Sequence, residues 1–147
     1  MTTLRYALVL ALALFLAGCA GPSYTPPSTP STPPPPPAQT SGNSAVLALL
    51  DQAKTQAAAG QDASAGATLE RALRIEPRNP YLWQELARVR LEQGQYRQAE
   101  NLAAKSNALA QGDRSLKAAN WRIIGQARGK RGDLKGSRAA FEKAEQQ

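Results

Sequence analysis

Three glycines divide the second part of the chain into repeated helical units. Gly60, Gly94 and Gly132 lie in the polar stretches "AAGQDAS", "EQGQYRQ" and "KRGDLKG", which are 34 and then 38 residues apart. Trp83 and Trp121 keep the same 38-residue offset. The flanking segments are rich in alanine, leucine, glutamine, glutamate and arginine, which favour helix. The pattern predicts an all-α fold in which each glycine relieves strain at the turn between two helices.

This period and these side chains resemble tetratricopeptide repeats. The resemblance rests on Trp83, Leu86, Ala87, Gly94, Tyr96 and Ala99 in repeat two, on Trp121, Ile124, Gly125, Gly132, Leu134, Phe141 and Ala144 in repeat three, and on Leu49, Ala53, Gly60, Ala65, Leu69, Ala72 and Pro77 in repeat one. It implies a short solenoid of three repeats over residues 44–147. We expect helices near 44–58, 62–75, 79–93, 96–109, 116–130 and 134–146, with the four extra residues of repeat three in the connection "AQGDRS".

The chain departs from the family pattern at one position in every repeat. The usual tyrosine is replaced by Gln56, Arg90 and Arg128, and a small residue of repeat three is replaced by Ser137. We expect these changes to loosen the contact between paired helices. The last helix is already rather polar, so we expect it to cap the array itself; dimerisation and packing on a partner are the alternatives.

The family resemblance also implies a ligand groove along the first helix of each repeat. Its usual ligand-facing positions correspond here to Leu47, Leu50, Lys54, Tyr81, Gln84, Arg88, Glu92, Arg122, Gln126 and Lys130. Of these, the candidate protein-binding residues are Lys54, Tyr81, Gln84, Arg88, Arg122, Gln126 and Lys130. Four cations against one acid suit an extended acidic segment or a carboxylate terminus of a protein partner.

The formal charge of +7 raises the prospect of an anionic partner. Eight basic residues and one acid fall between Arg114 and Arg138, and they form either a solvated face or a basic end that meets a partner. The export signal described next removes nucleic acid as a partner.

Residues 1–18 have the layout of a secretory signal. Arg5 precedes the apolar run "YALVLALALFL", which is shorter than the roughly 20 residues that span a bilayer. The following "LAGC" resembles the lipobox of bacterial lipoproteins, which implies cleavage before Cys19 and attachment of lipid to its sulfur. A structural thiol and an unpaired disulfide partner are the alternatives for Cys19. In that family the residue after the cysteine directs sorting, and Ala20 implies an outer-membrane location facing the periplasm.

Residues 19–43 contain the lipidation site and a proline-rich linker. Proline, serine, threonine and glycine dominate the segment, and it carries no charge, so it cannot bury enough apolar surface to fold. We expect a stiff, disordered tether with a polyproline II bias. A docking peptide for a proline-binding module is the other interpretation.

The composition argues against an enzyme. The chain has no histidine and one cysteine, so metal centres and Ser/His/Asp or Cys/His sites lack essential groups. Asp62 and Asp133 resemble helix N-caps more than catalytic carboxylates. We therefore expect no catalytic residue, no metal, no cofactor and no small-molecule substrate.

A lipid anchor, a tether and a repeat module together resemble outer-membrane lipoproteins that reach inner-membrane enzymes. The most similar layout is that of small tetratricopeptide lipoproteins of the LpoP type, which activate class A penicillin-binding proteins. The resemblance implies binding to the periplasmic domain of a cell-wall synthase. The alternative functions are binding to another envelope protein and a pilotin-like role in assembling a secretin.

Overall fold

The computed structural model describes residues 42–147, and this range consists of helices and short connections. The six helices are α1 (Ser44–Ala58), α2 (Asp62–Ile75), α3 (Pro80–Glu92), α4 (Tyr96–Leu109), α5 (Arg114–Lys130) and α6 (Leu134–Glu145). They pair as three repeats, which confirms the predicted fold. The predictions for the signal, for Cys19 and for nearly all of the linker lie outside the described residues. None of the described helices has the length and apolarity needed to cross a bilayer.

Side-chain caps and left-handed glycines set the helix ends. The side chains of Asn43, Asn79, Asp113 and Asp133 each accept a backbone N–H at the start of a helix. Between paired helices Gly60, Gly94 and Gly132 have φ of 71°, 72° and 85°, the region in which a Cβ is strained. Asp133 is thus an N-cap, as predicted. Asp62 is not, because it is the first residue of α2 and makes no cap bond.

The four extra residues of repeat three lie in a helix, so their predicted place in the connection is wrong. The connections 76–79 and 110–113 are equally long, whereas α5 has 17 residues and α3 has 13. The cause is Asp113, whose Oδ1 accepts the amide of Leu116 at 2.9 Å and starts α5 two residues before the expected position. The added turn buries Leu116.

Two apolar clusters form the core, and each joins neighbouring repeats. The first contains Leu50 of α1, Leu69 of α2 and Leu86 of α3, together with their buried neighbours. The second extends from Ala87 of α3 to Ala140 of α6. Apolar side chains are therefore buried between consecutive helix pairs as well as within each pair.

The side chains at the departures Gln56, Arg90 and Arg128 form polar bonds to other helices. Gln56 of α1 accepts the hydroxyl of Thr68 in α2 at 2.8 Å. The guanidinium of Arg90 in α3 pairs with Glu70 in α2, and Arg128 in α5 pairs with Glu100 in α4 at 2.6 Å. Each position thus supplies a polar bond to another helix, and both arginines join consecutive repeats.

A buried series of hydrogen bonds joins repeat three to repeat two. Asn120 of α5 is fully buried, and its Nδ2 donates to the hydroxyl of Ser106 in α4 at 2.7 Å. The Ser106 hydroxyl donates in turn to the carbonyl of Pro80 at the start of α3, at 2.8 Å. Leu82 holds the equivalent buried position in repeat two, so Asn120 replaces an apolar residue of the repeat. No local sequence pattern predicts these hydrogen bonds.

Replacing Ser106 by alanine should lower the free energy of unfolding by about 2 kcal/mol, because the buried amide of Asn120 loses its acceptor. The double change Ser106→Ala with Asn120→Leu should recover most of that loss, since both polar partners are then gone. Urea denaturation of the two variants and the parent measures the difference. A double variant no more stable than Ser106→Ala would contradict this account.

Candidate protein-binding groove

Three adjoining clefts open along α1, α3 and α5, the first helices of the repeats. We call this surface the groove. The clefts are continuous because Glu92 lines all three, Arg88 lines the first two, and Leu91 and Gln126 line the last two. Six of the seven candidate residues line these clefts: Lys54, Gln84, Arg88, Arg122, Gln126 and Lys130.

The first cleft lies between α1 and α3 and is more acidic than the sequence suggested. It is lined by Lys54, Ala57, Ala58, Asp62, Glu85, Arg88, Val89 and Glu92. Asp62 comes from the start of α2, and Glu85 lies 3.7 Å from Arg88. Sequence reasoning missed both carboxylates, although the position of Asp62 beside the glycine turn was a usable signal. This cleft therefore has three acids against two cations.

The second cleft lies between α3 and α5 and is basic. It has a volume of ≈ 350 Å³ and is lined by Gln84, Arg88, Leu91, Glu92, Ala119, Arg122, Ile123 and Gln126. Four predicted site residues meet here, namely Gln84, Arg88, Arg122 and Gln126. Arg88 and Arg122 face a single carboxylate, Glu92. Amides and cations beside Leu91 and Ile123 can bind an extended peptide with an acidic or carboxylate group.

The third cleft continues the groove toward the turn before α6. It is lined by Leu91, Glu92, Tyr96, Gln126 and Lys130. Charge along the groove thus changes from acidic at repeat one to balanced or basic at repeats two and three. The predicted excess of four cations over one acid is smaller in the structure, because Asp62 of α2 and Glu85 of α3 also line the groove.

Two expected groove positions serve the fold. Leu50 is buried in the first core cluster, whereas Leu47 is exposed. Tyr81 lines none of the three clefts, and its hydroxyl donates to Oδ2 of Asp113 in the connection before α5. Of the predicted cations, Lys54, Arg122 and Lys130 make no ion pair within residues 42–147, so they are available to a ligand.

The basic end is partly neutralised within the fold. Glu100 binds two of the eight cations, Arg128 at 2.6 Å and Arg131 at 2.8 Å. These two cations are therefore ion-paired within the fold. Arg122 and Lys130 remain exposed on the groove.

The hydrogen bond between Tyr81 and Asp113 raises the pKa of Tyr81 and lowers that of Asp113. The hydrogen bond, then burial and the adjacent negative charge, raise the pKa of Tyr81 above its ordinary value of 10.0. The same bond, followed by the Leu116 amide and the Ser115 hydroxyl, lowers the pKa of Asp113 below 3.8. At neutral pH this hydrogen bond therefore joins α3 of repeat two to the N-cap residue of α5.

Near neutral pH, the free energy of unfolding of the Tyr81→Phe variant should be about 1 kcal/mol lower than that of the parent. The loss is modest because the hydrogen-bonded pair is partly exposed to solvent. The difference from the parent should shrink as pH falls below 3.8, because the unfolded carboxylate of Asp113 binds a proton first. It should also shrink as pH rises above 10.0, because the unfolded phenol loses its proton first.

Urea denaturation across this pH range tests the prediction, and Tyr96→Phe is the matched control. The Tyr96 hydroxyl makes no hydrogen bond within the described range, so its removal should leave the pH profile unchanged. A constant difference between Tyr81→Phe and the parent at all pH values would contradict the role of the bond.

Comparison with known proteins agrees with this architecture. Residues 56–119 match the family model described as tetratricopeptide repeat. No curated protein matches the chain. The N-terminal domain of stress-induced protein-1 (STI-1) from C. elegans superposes with a TM-score of 0.63 at 19% identity, covering 68% of this chain and 81% of that one, which shows a shared fold.

A second solved structure is far more similar in sequence. The globular C-terminal domain of LpoP from P. aeruginosa is 45% identical and superposes with a TM-score of 0.69. The match covers 70% of this chain and 97% of that domain. A shared helical-repeat architecture alone does not require sequence identity this high over nearly a whole domain. The chain therefore belongs to the tetratricopeptide-repeat family of LpoP-like proteins.

Proposed function

We propose that this protein is an outer-membrane lipoprotein that binds the periplasmic domain of a class A penicillin-binding protein and activates peptidoglycan synthesis. The observation that carries the proposal is the 45% identity to LpoP across 97% of its globular domain. The LpoP-type layout noted in the sequence, with a lipidation motif before a proline-rich linker, supports the same role.

The groove supplies the binding surface in this proposal. A segment of the synthase lies along α1, α3 and α5, with acidic groups near Arg88 and Arg122 and a basic group near Asp62 and Glu85. Such a segment matches the charge gradient and can bind in one direction only. Binding favours the active conformation of the synthase by its higher affinity for that state. The protein acts as an adaptor rather than as a catalyst.

The linker sets the distance over which this contact is made. Cys19 carries the lipid, and residues 20–43 extend away from the membrane. At roughly 3.1 Å per residue, a polyproline-like tether of this length reaches about 70 Å. Contact with an inner-membrane synthase then depends on openings in the cell wall.

The double variant Arg88→Glu with Arg122→Glu should bind the synthase at least about tenfold more weakly, because two groove cations become repulsive to an acidic segment. Stimulation of glycan polymerisation by the purified protein should fall in parallel. Binding is measured by titration calorimetry, and polymerisation by incorporation of labelled lipid-linked precursor.

The matched control is Arg71→Glu with Lys105→Glu, which changes the net charge equally at exposed positions of α2 and α4. This control should retain binding and stimulation. Equal losses in both double variants would show a general charge effect and contradict groove binding. The pilotin-like function would be supported instead if the parent protein neither binds nor stimulates the synthase and deletion of its gene abolishes secretin multimers.

Replacing Cys19 by alanine should abolish incorporation of labelled palmitate and release the protein from the membrane fraction, because no thiol remains for acylation. Ala20→Asp is the companion variant, and it should retain the label while moving the protein to the inner-membrane fraction. Palmitate labelling that persists without Cys19 would refute the lipid anchor.

A further inference from the structure

A further cavity, with a volume of ≈ 590 Å³, lies between the glycine turns of repeats two and three. We call it the turn cavity, and it is lined by Gly94, Gln95, Tyr96, Arg97, Gln98 and Arg131. Tyr96 also lines the third cleft of the groove, so the two spaces adjoin at this residue. Its hydroxyl lies over the turn, because a Cβ built at Gly94 would be 3.8 Å from that oxygen. A segment bound in the groove therefore reaches the turn cavity by passing Tyr96.

The charged residues that line the turn cavity are both arginines. Arg97 is exposed and makes no ion pair within residues 42–147. Arg131 donates to Glu100 at 2.8 Å, and the same carboxylate binds Arg128. One acid shared by two arginines leaves an excess of positive charge. Arg131 also keeps N–H donors for a second carboxylate, since a guanidinium has several.

The turn cavity continues the charge gradient of the groove. Among the lining residues, acids outnumber cations by one in the first cleft, cations outnumber acids by one in the second, and the third has one of each. None of the six residues that line the turn cavity is acidic, and two of them are arginines. The largest excess of positive charge along this path therefore lies at its end.

This positive charge is not a property of every boundary between repeats. Ala63 stands 34 residues before Arg97, at the equivalent position of repeat one. Gln93 stands 38 residues before Arg131, at the equivalent position of repeat two. Neither residue is charged, and the neighbouring Asp62 lines the acidic first cleft. The two boundaries therefore present different charges to a partner.

We propose that the turn cavity binds the acidic end of the synthase segment that lies in the groove. This inference rests on the proposed function, because it assigns a further contact to the same partner. The segment runs along the groove past Tyr96, and two carboxylate side chains at its end bind Arg97 and Arg131. Carboxylates suit these groups because a guanidinium can donate two parallel N–H bonds to one carboxylate. The contact fixes the direction of the segment, since the opposite end of the groove is acidic.

The Arg97→Glu variant should bind the periplasmic domain of the synthase about fivefold more weakly than the parent, because an attraction becomes a repulsion. Arg97→Glu combined with Arg131→Gln should bind it about tenfold more weakly. Glutamine removes the charge of Arg131 without placing a second acid beside Glu100. Titration calorimetry at low and high salt measures these losses, which should shrink at high salt because exposed charges are screened.

The matched control is Lys105→Glu, which makes the same charge change at an exposed position of α4 outside the groove and the turn cavity. It should keep the affinity of the parent, and a loss equal to that of Arg97→Glu would overturn the proposal. Unchanged affinity in the Arg97→Glu with Arg131→Gln variant would also overturn it. If Arg88→Glu with Arg122→Glu still weakens binding, the proposed function survives that result, whereas a parent that does not bind the synthase removes both.

Photo-crosslinking tests the path of the segment and does not depend on the arginine variants. The photoreactive amino acid p-benzoylphenylalanine replaces either Gln98 in the turn cavity or Gln126 in the groove, both of which are exposed. The two proteins should capture adjoining stretches of one synthase segment, and the stretch captured at Gln98 should contain acidic residues. Capture at Gln126 alone, or capture at Gln98 of a stretch without acidic residues, would contradict the proposal.

Discussion

Stacking of one helix pair on the next is the interaction on which the rest of this domain depends. Both core clusters contain side chains from two repeats, so no helix pair buries its apolar side alone. Close approach within each pair is possible because small residues, Ala53, Ala87 and Gly125, stand at the same position of the three first helices. The first helices therefore lie side by side and form one continuous groove.

Polar side chains set the register of this stacking, since apolar contact alone is not directional. The pairs of Arg90 with Glu70 and of Arg128 with Glu100 join consecutive repeats at the positions where the family pattern is broken. The buried amide of Asn120 adds a hydrogen bond to Ser106, which would not form if the repeats packed in another register. The departures from the repeat pattern thus specify how the repeats fit together.

The groove arises from the same geometry. Side-by-side first helices bring Arg88, Arg122 and Glu92 into one groove, although they come from different repeats. A groove with a charge gradient selects an extended segment.

The sequence by itself determined the repeat number and the helices to within about two residues, because the period and the glycine turns are local signals. The ligand-binding positions on the first helices, the lipid at Cys19 and the linker are predictions from the sequence. Only the tertiary structure decided that Asp62 enters the groove, that Tyr81 binds Asp113 and that Glu100 pairs with both Arg128 and Arg131. These contacts depend on how one helix pair is rotated on the next, which no local pattern encodes.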